Sequence, residues 1–309
     1  MSGNSGIAVQ RTVGHAVSCC GIGLHSGEPV ALTIRPAAVD TGIIFRRLDA
    51  GVEIRAIWSN TVDSALRSVL SNREGVNINT IEHLMAALAG SEVDNAVVEL
   101  DGPEVPILDG SAAPFLAMID RVGTRTQDAA RRAIKVLKPV RVAADGASAA
   151  LLPDHSLSMS FEIDFDTPLI RRQDMQVTLD AETFRTELSQ ARSFCLFDEV
   201  ERMKAAGLAR GGSLDNAVVI DGDRVMNAGG LRYADEPVRH KLLDAVGDLY
   251  LAGGPLIGQF HGHRSGHALT RRLLVELFSD PLAWCETTIA AAPEFAAPRW
   301  QNPLHFAAG

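Results

Sequence analysis

Thr124-Arg125-Thr126-Gln127-Asp128-Ala129-Ala130-Arg131-Arg132 is a polar, charged stretch near the middle of the chain. Domain boundaries fall in exposed polar segments of this kind, so it reads as an interdomain linker. A chain of 309 residues is also long for a single core. The expected organisation is an N-terminal domain over 1–126, a C-terminal domain over 127–288 and a tail over 289–309.

On the N-terminal side of that stretch, residues 8–58 read as strands. Apolar and other residues alternate in Val30-Ala31-Leu32-Thr33-Ile34 and in Gly42-Ile43-Ile44-Phe45, with Pro36 and Gly51 as punctuation. Asn79 to Gly90 reads as a helix. Ile81, Leu84, Met85 and Leu88 recur at helical spacing, and Gly90 stands where a helix C-terminal glycine belongs. A strand over Ala96–Leu100, the turn Asp101-Gly102-Pro103 and a helix from about Ala113-Pro114 follow. On the C-terminal side, strands are expected near 134–143, 147–152 and 157–165, then helices over 181–191 and 198–206, the latter ending at Gly207. A strand at 216–221 precedes the turn Asp221-Gly222-Asp223, and helices over 237–251 and 266–279 complete the pattern. Each half runs strands and then helices, which predicts two α+β domains. Residues after 286 read as an Ala/Pro-rich tail.

Composition removes several classes of function. The chain is 46% apolar and 22% charged, ordinary for a soluble globular protein. No run approaches the ~18 uncharged apolar residues of a membrane span. The start, MSGNSGIAVQR, lacks the apolar core of a secretory signal, so a cytoplasmic location is expected. A net charge of −9 argues against broad nucleic-acid binding. Cys19, Cys20, Cys195 and Cys285 form no CxxC pair, which argues against a cysteine-based zinc site.

The chemistry concentrates on the predicted helix 237–251. At about 100° per residue, His240, Asp244 and Asp248 fall at roughly 0, 40 and 80°, and Lys241 at about 100°. Leu242, Leu243, Val246, Leu249 and Tyr250 lie mainly on the other side. His and Asp at i and i+4 can reach one metal ion, and both are zinc ligands. The same spacing also suits a solvated helix face with polar pairs. Glu82-His83 offers a general base beside a further ligand. Glu82 could equally cap its own helix, since Asn79-Thr80-Ile81-Glu82 fits an N-cap with Glu at the third helical position. His261, His263 and His267 crowd the segment 261–267 and could be ligands, acids or loop residues. At a helix N-terminus the cationic form of His267 is disfavoured, and a carboxylate such as Asp248 could oppose that.

These motifs together resemble a known family. They are GIGLHSG (21–27), NTIEHLMAALAG (79–90), DNAVVEL (94–100), PILDGSAAPF (106–115), ARSF (191–194), GGSLDNAVV (211–219), VRHKLLDAVGDL (238–249) and SGHAL (265–269). In this order, across most of the chain, they resemble the UDP-3-O-acyl-N-acetylglucosamine deacetylases, zinc enzymes that commit Gram-negative bacteria to lipid A synthesis. The resemblance implies two α+β domains, each a sheet layered against helices and carrying a small insert, with the active site between them. It implies a Zn2+ ion on His83, His240 and Asp244, with Glu82 as general base. His267 would stabilise the oxyanion and protonate the amine, with Asp248 hydrogen-bonded to it and the Ser193 hydroxyl assisting. Lys241 would contact the polar head of the substrate. Asp164 and Phe165 match positions near the uracil ring, Phe194 lines the sugar pocket, and Arg264 and Gly266 join the binding residues. Residues 195–226, with apolar Leu196, Val200, Leu208, Leu214 and Val218, match an insert that forms the acyl passage.

The resemblance further implies a cytoplasmic enzyme, with contact at the inner membrane left open, that needs no oligomer, no nucleic acid and no stable membrane insertion. Ser193 stands where many members have Thr, Arg264 where a Lys is common, and Arg67 where small or apolar residues are common; His25, His261 and His263 receive no role. Two rival expectations are a zinc amidohydrolase of another acylated amino sugar and a non-catalytic module that binds a nucleotide sugar or lipid.

Overall fold

The computed structural model describes residues 6–291, and its architecture is α+β. The first large sheet has five strands in the spatial order Val17–Ile22, Pro29–Pro36, Ala96–Leu100, Ile43–Arg47 and Val52–Arg55. Neighbours are antiparallel except Ala96–Leu100 and Ile43–Arg47, which are parallel. Val30, Leu32 and Ile34 point into the core, as alternation requires. Helix α2 (Ala113–Val122) packs on strand Val17–Ile22 of this sheet, and helix α1 (Glu82–Gly90) packs against α2.

The second large sheet has seven strands around Leu256–His263, which pairs antiparallel with Ala147–Leu152 and parallel with Leu157–Phe165. A short helix α3 (Ala181–Thr183) continues as a π-helical turn, Phe184–Leu188, in place of the single helix expected over 181–191. Helix α4 (Phe197–Ala205) packs on a small sheet of Phe194–Leu196, Val218–Asp221 and Arg224–Val225. Helices α5 (Glu236–Tyr250) and α6 (His267–Ser279) complete this half. A second small sheet, Thr61–Val62, Val69–Ser71 and Asn77–Asn79, lies in the first half.

Several sequence expectations are corrected. Thr124–Ala130 is a strand paired antiparallel with Val9–Val13, not an unstructured connection. Its side chains are mostly exposed, so neither face carries an apolar period and the strand is invisible to pattern. The stretch expected as one strand over 134–143 is two, Arg132–Val136 and Val140–Ala144, separated around Pro139. Strands Arg171–Thr178 and Leu256–His263 are additions to the expected pattern. The first is polar or charged along most of its length, and the second is punctuated by glycine and histidine. Residues 287 and 288 end a strand, Trp284–Thr288, that pairs with Arg132–Val136, so they are not tail. The rest of the expected tail beyond 291 lies outside the described residues.

Gly90 is the last residue of α1 rather than a left-handed cap. A Cβ there would stand 2.0 Å from the ring of Phe184, so the glycine serves a close approach.

Candidate active site

Helix α1 begins at Glu82 because the chain turns sharply just before it. Thr80 has φ of 58° and donates its hydroxyl to Glu104 Oε1 at 2.7 Å. Asn79 belongs to a strand, and the helix N-cap, Ile81, makes no side-chain cap bond. Glu82 therefore does not close a capping box. Its Oε2 instead accepts the backbone N–H of Ser68 at 3.0 Å.

Helix α5 presses its polar arc onto α1. Gly247 lets the two backbones meet, since a Cβ there would lie 2.0 Å from the Glu82 carbonyl oxygen. The solvated-face reading of α5 fails on burial: His240, Asp244 and Asp248 are 4%, 5% and 3% exposed. Instead the arc faces Glu82 and His83, themselves 4% and 3% exposed.

His83, His240 and Asp244 converge, with one ligand atom from each lying within 4.8 Å of the others. His83 Nε2 and His240 Nε2 stand 3.5 and 3.3 Å from Asp244 Oδ1. His240 Nδ1 lies 3.0 Å from the Ala191 carbonyl, to which it donates. That bond holds the tautomer whose Nε2 lone pair is free toward the cluster, the usual support of a metal-bound histidine. Burial pushes the His240 pKa down to about 4, so it is neutral near pH 7. Burial opposes the charge of Asp244, yet His240 and Lys241, with His83 and His267, hold its carboxyl well below the usual range. Among the described residues, Asp244 Oδ1 is buried without a hydrogen-bond partner. An ionised, unpartnered oxygen beside two imidazole nitrogens is costly unless a cation completes the group, so the residues fit a metal ion.

Two further groups flank the cluster. Burial pushes the Glu82 pKa up, against the opposing charges of His267 and His83. His267 Nε2 lies 4.0 Å from Glu82 Oε1 and 3.8 Å from Asp244 Oδ2, while its Nδ1 donates to Asp248 Oδ2 at 2.8 Å. Burial disfavours its charged form, but Asp248, with Glu82 and Asp244, lifts the pKa to about 9. Ser193 Oγ sits 3.5 Å from His83 Nε2 and 3.3 Å from His240 Nε2. Lys241 Nζ reaches Asp244 Oδ2 at 3.2 Å.

The remaining candidates are arranged around this focus unevenly. Phe194 packs edge-on to His240, with ring centroids 6.3 Å apart, and to Phe165, 5.5 Å apart. Asp164 is exposed on the same strand as Phe165. Gly266 caps α6 directly before His267. Arg264 is exposed at φ of 49°, its N–H donating to the Glu162 carbonyl. His261 and His263 are not in the cluster; they bond Ser160 and approach Glu162 along their strand. His25 is buried and accepts the Ala209 N–H at Nδ1. Arg67 donates to Asn79 Oδ1 at 3.2 Å. In the 195–226 segment Val218 is core, whereas Leu214 is 45% exposed.

Sequence reasoning missed Gly247, Ala191 and Ser68. A glycine inside a helical pattern is a signal of close backbone approach and could have marked Gly247. Ala191 acts through its carbonyl and Ser68 through a fold-dependent contact, so neither had a signal.

A buried His, His and Asp group flanked by a carboxylate and a cationic imidazole, on an α+β frame, has the donor set of a hydrolytic metal centre. The chain belongs to the UDP-3-O-acyl N-acetylglycosamine deacetylase (LpxC) family, whose family model matches residues 10–279. It is 48% identical over 293 residues to a Nitrosococcus oceani protein named UDP-3-O-acyl-N-acetylglucosamine deacetylase, covering 94% of this chain and 96% of that one. A Phenylobacterium zucineum protein of the same name is 48% identical over 284 residues, covering 91% and 97%. One from Anaeromyxobacter sp. is 47% identical over 272 residues, covering 88% and 89%.

Proposed function

We propose that this chain hydrolyses the N-acetyl group of UDP-3-O-(3-hydroxyacyl)-N-acetylglucosamine, with a zinc ion held by His83, His240 and Asp244. Acetate and the free 2-amino sugar are the products, and the step commits lipid A synthesis. The observation that carries this reading is the buried focus of three donors around the partnerless Asp244 Oδ1. When bound, zinc polarises a carbonyl and makes water a stronger acid.

The protein's own side chains move the protons. A carboxylate oxygen of Glu82 takes the proton from the attacking water, and its burial raises its strength as a base. His267 Nε2 stays protonated near neutral pH, faces the developing oxyanion and gives its proton to the departing amine nitrogen. Asp248 orients that ring through Nδ1. Ser193 Oγ donates to the oxyanion.

Substrate binding follows the surroundings. Lys241 contacts the polar head, Phe194 lines the sugar pocket, and Phe165 with Asp164 borders the uracil. Arg264 and Gly266 complete the nucleotide side. The 195–226 segment receives the acyl chain. The two domains meet at the α1–α5 packing, with a boundary near 126. Among the described residues no helix is long and apolar enough to cross a membrane. The reading places the enzyme in the cytoplasm, able to work at the inner membrane surface as a monomer.

The test is acetate release from the acylated UDP sugar and from UDP-N-acetylglucosamine, before chelation, after it, and after zinc is returned. The expected result is turnover of the acylated sugar alone, lost with the metal and restored by zinc. Equal turnover of the unacylated sugar would point to a broader amino-sugar amidohydrolase. No turnover and no bound metal would leave a binding module.

A further inference from the structure

Ser68 lies in the small first-half sheet, between strands Thr61–Val62 and Val69–Ser71, and is 8% exposed. Three of its groups engage the site at once. Its N–H donates to Glu82 Oε2 at 3.0 Å. Its carbonyl accepts the N–H of Ile81, the residue that opens α1, at 3.4 Å. Its hydroxyl donates to Asp248 Oδ1, the oxygen that His267 leaves free, and lies 3.4 Å from His267 Nδ1. That small sheet is itself held down, because Arg271 of α6 donates to the Thr61 carbonyl at 3.1 Å and to Asp63 at 2.8 Å.

A carboxylate with one oxygen bonded can still rotate about its Cβ–Cγ bond. Filling both oxygens removes that freedom. Asp248 Oδ2 takes the imidazole N–H and Oδ1 takes the serine O–H, so the carboxylate plane, and with it the His267 ring, has one orientation. The same residue tethers Glu82 through its backbone.

Resting on the catalytic reading above, we propose that Ser68 is a positioning residue that sets the geometry between the base Glu82 and the acid His267, acting through Asp248. It touches neither substrate nor metal. A hydrogen bond to an ionised group of this kind is strong enough that its loss is felt about tenfold in rate.

The experiment compares Ser68→Ala, Ser68→Thr, Asp248→Ala and the Ser68→Ala/Asp248→Ala double variant in the full-length zinc-loaded protein, using the acylated UDP sugar. Zinc content and thermal unfolding are measured alongside, so that a misfolded variant is recognised. For Ser68→Ala, kcat is expected to fall about tenfold with KM within about twofold and zinc content unchanged. Ser68→Thr, which keeps the hydroxyl, should return kcat to within about threefold of wild type. In the Asp248→Ala background, Ser68→Ala should change kcat by less than about twofold, since its partner is gone. A wild-type kcat in Ser68→Ala overturns the proposal. So does a loss confined to KM, a failure of Thr to rescue in a stable protein, or fully additive losses in the double variant. Wild-type turnover in Asp248→Ala would instead bring down the catalytic reading itself, whereas loss in Asp248→Ala with none in Ser68→Ala removes only the role of Ser68.

Discussion

The Glu82 carbonyl oxygen lies where a Cβ on Gly247 would come within 2.0 Å of it. This contact sets how closely α5 approaches α1, and therefore how far His240 and Asp244 stand from His83. In an unconstrained helix, Gly→Ala is worth roughly 1 kcal/mol in favour of Ala. Here the sign reverses. Gly247→Ala should destabilise by about 1–3 kcal/mol through overpacking and lower metal affinity as the helices part. Denaturant unfolding and zinc titration measure both, and a stabilised variant would contradict the packing argument.

The metal group makes a second prediction. One zinc ion per chain should bind, and loading should raise the melting temperature, because the ion binds the folded state. Asp244→Ala should abolish stoichiometric binding. Elemental analysis and calorimetry read these outcomes independently of activity. Unchanged zinc content in Asp244→Ala would exclude it as a ligand.

Glu82→Ala and His267→Ala should each lose roughly 10²–10⁴-fold in turnover, the usual worth of one acid–base group, while remaining folded. Steady-state kinetics with circular dichroism decides this. Near-wild-type turnover in either variant would remove the role assigned to it.

The charge on His267 predicts a pH dependence. Its folded pKa of about 9 stands above the ordinary 6.5. The favourable interaction with Asp248 is thus fully present below about pH 6.5, and is lost as pH rises through about 9. In metal-free protein, NMR should find His267 titrating near 9. Asp248→Asn should move that titration down by more than about one unit, since the largest favourable partner becomes neutral. A wild-type midpoint at the ordinary histidine value would contradict the geometry.

Arg192 and Glu236 form a buried pair at 2.8 Å, with side chains 10% and 1% exposed. The pair fixes the segment that presents Ala191 to His240 and Ser193 to the cluster. Glu236→Ala should cost about 3–5 kcal/mol, because it strands a buried guanidinium. Urea unfolding tests it; a loss below about 1 kcal/mol would mean the charge is solvated by another route.

The sequence by itself determined much of the local structure. The periods of Val30–Ile34 and of Ile81–Leu88 required a strand and a helix, and the spacing of His240, Asp244 and Asp248 put them on one arc. The family resemblance groups these residues with Glu82, His83 and His267. Local periodicity is short-ranged, and it says nothing of what an arc faces. Whether the α5 arc met water or α1 was decided only by tertiary packing, through a glycine that admits a backbone. The same holds for Glu82, which the local pattern allowed as a helix cap and which the Thr80 turn and the Ser68 tether direct elsewhere. Thr124–Ala130 makes the point for the fold. Its polar residues looked like a linker because strand pairing is made by backbone groups, and its partner, Val9–Val13, lies over a hundred residues away.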